Sequence, residues 1–134
     1  MTKGLPMHWR LIPQRYNLLG SKCETCSTHF FPQRQVCPNC RRKGKLSEVA
    51  YSGRGKIFSY TVVHAAPRGF EFKKPYVLAI VELEEGPKVT TQIVDCNPGE
   101  IEIGTPVKLV FRLIEARGKE DIIKYGYKFK VERN

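Results

Sequence analysis

A mostly β fold in two parts is predicted: a small cysteine-stapled module behind a short leader, then a compact OB-type β-barrel. Three observations carry this. Cys23, Cys26, Cys37 and Cys40 form two C-x-x-C pairs separated by a ten-residue spacer. From Leu46 onward, β-branched and aromatic residues alternate with lysine and arginine in short runs broken by turn residues, with no comparable helical period. Finally, the net charge of +10 is unevenly divided. Residues 1–46 hold nine Lys or Arg and one acidic residue, Glu24, while residues 47–134 hold fourteen basic and twelve acidic side chains.

The cysteines predict a tetrahedral metal site. Each C-x-x-C turn offers two thiolates, and two turns facing each other close a four-sulfur shell with no position left for water or substrate. The metal is therefore expected to be a structural zinc, a rubredoxin-like iron site of the same geometry being the alternative. Two disulfides are disfavoured: no apolar signal segment opens the chain, and a fifth cysteine, Cys96, is left over. His29 lies between the knuckles, but four thiolates already complete the shell, so it is expected at the surface. Residues 28–34 read as an irregular finger with exposed aromatics.

At 134 residues and 41% apolar composition, the chain has room for one small metal-stapled module and one compact barrel. No apolar run is long enough for a transmembrane helix, and a cytoplasmic location is expected. Four thiolates around a divalent ion subtract two charges, leaving about +8 on the metal-bound protein. That field calls for an anionic partner: nucleic acid, a nucleotide-containing cofactor or an acidic protein surface.

The leader, residues 7–16, is rich in large amphipathic side chains. Pro13 is expected to limit it to a short helical turn or an extended arm. Trp9 and Tyr16 lie among basic residues with little local core to fill, which reads either as a docking segment or as a cover for the ribbon or sheet. Candidate strands follow at 46–51, 56–65, 76–83, 88–95, 106–116 and 122–132. Turn signals separate them at Ser52-Gly53, Pro67-Arg68-Gly69, Glu85-Gly86-Pro87, Asn97-Pro98-Gly99 and Arg117-Gly118. Hairpin-sized connections favour a closed barrel over an open sheet.

These residues also carry a family resemblance. Trp9-Arg10, Pro13, Arg15-Tyr16, Leu18, Gly20 and Lys22-Cys23 compose a distinctive leader, continued by Phe31-Pro32, Arg34, Cys37-Pro38 and Cys40. Gly53-Arg54-Gly55-Lys56-Ile57, Tyr60-Thr61, Phe70, Pro75-Tyr76, Val81-Glu82-Leu83, Gly86 and Ile103-Gly104 extend it along the second part. Together they resemble the thiolase-associated, acyl-CoA-linked OB-fold family with an N-terminal rubredoxin-like zinc ribbon. One departure is that Ser27 and Arg41 follow the second cysteine of each knuckle, where many ribbons have glycine.

The resemblance implies a ribbon in residues 1–46 and an OB barrel in 47–134. It also implies a non-catalytic scaffold that bridges acetyl-CoA acetyltransferase (thiolase) and hydroxymethylglutaryl-CoA synthase, the pair that opens the mevalonate route in archaeal members. A shared cleft for coenzyme A or acyl-CoA would pass acetoacetyl-CoA between them. On that reading Trp9, Arg10, Arg15 and Tyr16 anchor one enzyme. The linker, with Phe70 and Phe72, flanks the coenzyme or the other enzyme, and Arg68, Lys73 and Lys74 contact phosphate.

The rival reading is single-stranded nucleic-acid binding, with bases stacked on Phe58, Tyr60, Tyr125, Tyr127 and Phe129 near Lys56, Lys124, Lys128 and Lys130. Those aromatics recur at period two, which in a small barrel places them toward the core, and the barrel segment is nearly neutral. An enzyme is not expected. His64 and Cys96 have no assignable partner, and Glu84 and Glu85 are adjacent in sequence next to a turn, where neighbouring residues of an extended chain point to opposite faces and make no acid and base pair.

Overall fold

A computed structural model describes residues 4–68, 75–115 and 123–133. The leader forms a helix, α1 (Leu5–Asn17), that runs through Pro13. This corrects the expected turn or arm. Pro6 starts the helix where an N–H has no partner to lose, and Pro13 removes only one interior donor. Packing offsets that loss: α1 lies on the barrel, His8 is buried beneath it, and the Tyr16 ring meets Phe111 edge-on at 4.9 Å. Leu18 ends the helix in the left-handed region (φ 51°), with its side chain fully buried.

Three short strands make the ribbon: β1 (Leu19–Cys23), β2 (His29–Phe30) and β3 (Leu46–Ala50), ordered β2-β1-β3 and antiparallel throughout. The finger is thus partly a strand, and its aromatics are half-buried rather than exposed. Phe31 packs edge-on against Tyr127 of the barrel at 5.7 Å. β3, expected with the barrel, instead pairs with β1 from Cys23↔Leu46 to Leu19↔Ala50.

The barrel consists of β4 (Arg54–Val63), β5 (Tyr76–Leu83), β6 (Lys88–Val94), β7 (Pro106–Glu115) and β8 (Lys124–Val131). Its closed order is β4-β5-β6-β8-β7, antiparallel except where β6 meets β8. Alternate residues Val77, Ala79, Val81 and Leu83 of β5, with Val89 and Ile93 of β6, point inward onto Ile57, Val107 and Phe129.

Closure is confined to one end. β4 meets β7 only at residues 54–56 and 106–108, and β6 meets β8 only at Ile93↔Phe129 and Val94↔Lys130. Beyond these ladders, β7 and β8 continue as a two-stranded arm on which α1 lies. The arm explains a second correction. Of the aromatics expected to face the core, Phe129 is fully buried and Tyr127 is packed against the core, but Phe58, Tyr60 and Tyr125 are exposed. Tyr125 sits on the arm past the barrel end, and β4 carries a bulge between Ile57 and Ser59 that changes which side chains face inward.

Candidate metal centre and partner surface

The metal site is built on the ribbon turns. Cys23 closes β1 and its N–H donates to the Thr28 carbonyl at 2.9 Å, so the first knuckle curls back over Cys26. In the second, Arg41 N–H donates to the Cys37 carbonyl at 2.8 Å, and Glu24 N–H donates to the Lys45 carbonyl at 2.8 Å, drawing the two knuckles together. All four Sγ atoms lie within 4.8 Å of one another. Tetrahedral zinc with bonds of about 2.3 Å needs sulfurs roughly 3.8 Å apart. The Cys26–Cys37 separation of 3.6 Å fits.

The protonation chemistry also suits a cation. Thr28 Oγ1, 3.2 Å from Cys26 Sγ, stabilises the thiolate and holds that thiol down to about 6. Burial, then the neighbouring sulfurs, pushes Cys40 up to about 12. Four thiolates this close repel unless a divalent ion sits among them. When bound, zinc would be held by Cys23, Cys26, Cys37 and Cys40 as a staple between knuckles. His29 lies apart from this cluster, its ring 6.0 Å from that of Tyr51.

Two backbone features support the sulfurs. Ser27 (φ 59°) and Arg41 (φ 52°) adopt the left-handed conformation that glycine usually supplies after a knuckle. Gly44, not singled out from the sequence, backs the cluster: a Cβ there would lie 2.8 Å from Cys37 Cβ and 3.0 Å from Cys40 Cβ. A glycine four residues after the last cysteine was the available signal, but only the fold shows what it faces.

Of the residues expected at a partner surface, Trp9 is 75% exposed and Arg10 is exposed beside it, with Leu5 and Met7 also uncovered on α1. Arg15 and Tyr16 are half-buried: Arg15 donates to His8 Nδ1 at 3.3 Å, and Tyr16 packs on Phe111. These four residues therefore divide between an outward and an inward side of the helix. Arg68 is exposed after β4. Phe70, Phe72, Lys73 and Lys74 lie outside the described residues.

Of the residues weighed for catalysis, His64 is exposed and Glu85 accepts from the Ser52 N–H at 2.8 Å. Cys96 is half-buried against the core, and burial raises its thiol. No helix of the described residues is long and apolar enough to cross a membrane.

Comparison with known proteins agrees with both parts. The profile of the ChsH2 rubredoxin-like zinc ribbon domain matches residues 12–46, and that of the ChsH2 C-terminal OB-fold domain matches residues 48–112. A DUF35 domain-containing scaffold protein of Methanothermobacter thermautotrophicus is 57% identical over 91% of this chain and 92% of its own. The Methanocaldococcus jannaschii scaffold protein is 52% identical over 94% and 89%. Among solved structures, a chain of the Ltp2-ChsH2(DUF35) aldolase superposes with a TM-score of 0.71 at 31% identity, over 98% of this chain and 96% of that one. The chain belongs to the DUF35 family of scaffold proteins, with the ChsH2-type zinc ribbon and OB-fold.

Proposed function

We propose that this protein is a non-catalytic scaffold that holds a thiolase, acetyl-CoA acetyltransferase, against hydroxymethylglutaryl-CoA synthase, and that it helps form a coenzyme A cleft shared by the two. The observation that carries this reading is the likeness to scaffold proteins at 57% and 52% identity over about nine-tenths of each chain. Likeness to a chain of an aldolase supports a role beside an acyl-transforming enzyme. The exposed face of α1 supports docking, because Trp9, Met7 and Leu5 present apolar area in the open, flanked by Arg10.

The advantage of such a bridge is thermodynamic. Condensing two acetyl-CoA molecules is uphill, so passing acetoacetyl-CoA directly to the next enzyme keeps its free concentration low and draws the first step forward. Thioester chemistry belongs to the partners in this reading, and the scaffold supplies position, with its basic surface suited to the phosphorylated end of the coenzyme. Arg68, Lys73 and Lys74 are the proposed linker contacts to phosphate. Assembly would take place in the cytoplasm.

A second reading, single-strand binding, draws support from the exposed Phe58, Tyr60 and Tyr125, with Lys88 Nζ 3.8 Å above the Phe58 ring. Gentle affinity purification from the native cell at moderate salt separates the two readings. Stoichiometric thiolase and synthase in the eluate support the bridge. Nucleic acid without either enzyme overturns it.

A further inference from the structure

Where β6 and β8 diverge, the barrel wall is open and the helix lines the opening. The cavity there has a volume of about 390 Å³, within the usual range for a small-ligand site. Its wall includes His8 and Arg15 of α1, Thr91 of β6, and Lys124, Tyr125 and Lys128 of β8. The lining is basic and aromatic together, and three of its members, His8, Thr91 and Lys128, are more than nine-tenths buried.

Two features in this wall ask for a polar ligand. Among the described residues Arg15 has no carboxylate partner: its contact is one hydrogen bond to His8 Nδ1, which uses one of the five guanidinium N–H groups. The Thr91 hydroxyl is buried with no hydrogen-bond partner. Lys124 stands close by, its ammonium fixed 3.0 Å from Glu115 Oε2.

At the mouth, Tyr125 is 39% exposed and stacks parallel to Phe111, with centroids 5.5 Å apart and planes 11° apart. Tyr16 braces Phe111 edge-on from the helix. A rigid aromatic face next to a guanidinium matches a ligand that carries a planar base and a phosphate on one short frame.

We propose that the opening between α1, β6 and β8 binds a nucleoside phosphate, its phosphate held by Arg15 and Lys124 and its base stacked on Tyr125. The nucleotide end of coenzyme A and a free adenine nucleotide share this chemistry. For coenzyme A the inference rests on the acyl-CoA reading above, and it adds phosphate contacts at the helix–barrel junction to those proposed for the linker.

The test is calorimetric titration of the zinc-loaded full-length protein with coenzyme A, AMP, inorganic phosphate and a short oligothymidylate. AMP and coenzyme A are expected to bind, with inorganic phosphate weaker than either. Arg15→Gln should weaken both nucleotides by about tenfold or more. Tyr125→Leu, on β8 and not on the helix, should weaken them several-fold, and Arg133→Gln, an exposed residue paired with Glu100 away from this cavity, should change nothing. Tighter binding of coenzyme A than of AMP assigns the site to the coenzyme, and equal binding assigns it to free nucleotide.

Absence of AMP binding overturns the site, as does binding unchanged in both Arg15→Gln and Tyr125→Leu, or binding of the oligonucleotide alone. Partner enzymes that still co-elute in that case leave the bridge standing without the site. Nucleotide binding with no co-eluting enzymes does the reverse.

Discussion

The hydroxyl of Tyr51 donates to the carbonyl of Phe30 at 2.8 Å, and this bond ties the residue that follows β3 to the opposite edge strand of the ribbon. Tyr51 is 6% exposed, and its ring meets Phe31, which in turn packs on Tyr127 of the barrel. One buried side chain thus fastens the metal-bearing module to the core. Tyr51→Phe keeps the ring and removes one of the bonds to the Phe30 carbonyl, which the β1–β2 ladder also engages at Ser21↔Phe30, so it should cost about 1 kcal/mol, read as a fall of roughly 4 °C in Tm. An unchanged Tm would show that water replaces the bond without loss.

The same residue predicts an alkaline signature. Burial pushes the Tyr51 hydroxyl up to about 12, and the negative charge of Glu85 adds to the rise. Its pKa in the folded protein lies above the unfolded value of about 10, so the neutral form is favoured by folding. The corresponding stability is complete below pH about 10 and is lost as pH rises toward 12. Denaturant unfolding at a series of pH values should show a drop on the order of 2 kcal/mol across that window, and Tyr51→Phe should lack this component while other groups continue to titrate.

Metal removal should act on the ribbon first. Replacing Cys37 and Cys40 with serine leaves two thiolates, too few to hold zinc, and forfeits a binding energy on the order of 10 kcal/mol that is also folding energy for so small a module. The expected result is loss of zinc by metal analysis, with α1 and the ribbon losing amide protection before the barrel strands. Metal content and partner assembly that both survive would end the structural-zinc account.

Ser27 and Arg41 offer a gain. A non-glycine residue in the left-handed region costs about 1 to 2 kcal/mol, and glycine returns part of that as extra chain entropy when unfolded. Ser27→Gly and Arg41→Gly should each raise stability by about 0.5 to 1 kcal/mol with zinc content unchanged. A destabilised Arg41→Gly would mean that the arginine side chain does more than fill the turn.

The metal centre was legible because its information is local: four cysteines at fixed spacing need only two turns to meet. Strands were legible for the same reason, since alternation is local, and β5 falls at residues 76–83 as expected. The helix was not. Pro13 lowers the local preference, and the contacts that offset it, Tyr16 on Phe111 and Gln14 Nε2 donating to Gln33 at 3.1 Å, join residues far apart in the chain. The strand partner of β3 was hidden likewise, because alternation says which residues share a face but not which neighbour they pair with. The exposure of Tyr125 was missed because period two cannot show where a barrel ends and a two-stranded arm begins.

Trp9 gives the sharpest test of the partner surface. The residue is 75% exposed on α1, so it contributes little to the fold, and Trp9→Ala should leave the unfolding free energy within about 0.5 kcal/mol of the native protein's. Large aromatic anchors at the centre of an interface typically contribute 2 kcal/mol or more, about thirtyfold in Kd. Binding of the purified thiolase and of the purified synthase should therefore be measured separately, with loss of about thirtyfold expected for one of them and no change for the other, since a single helix face is occupied by one neighbour. Arg10→Gln should weaken the same partner by a smaller factor that shrinks as salt rises, because a rim charge is screened and a buried ring is not. Equal affinity of Trp9→Ala for both enzymes, at native strength, would show that α1 serves only to cover the barrel and that the bridge is made elsewhere on the chain.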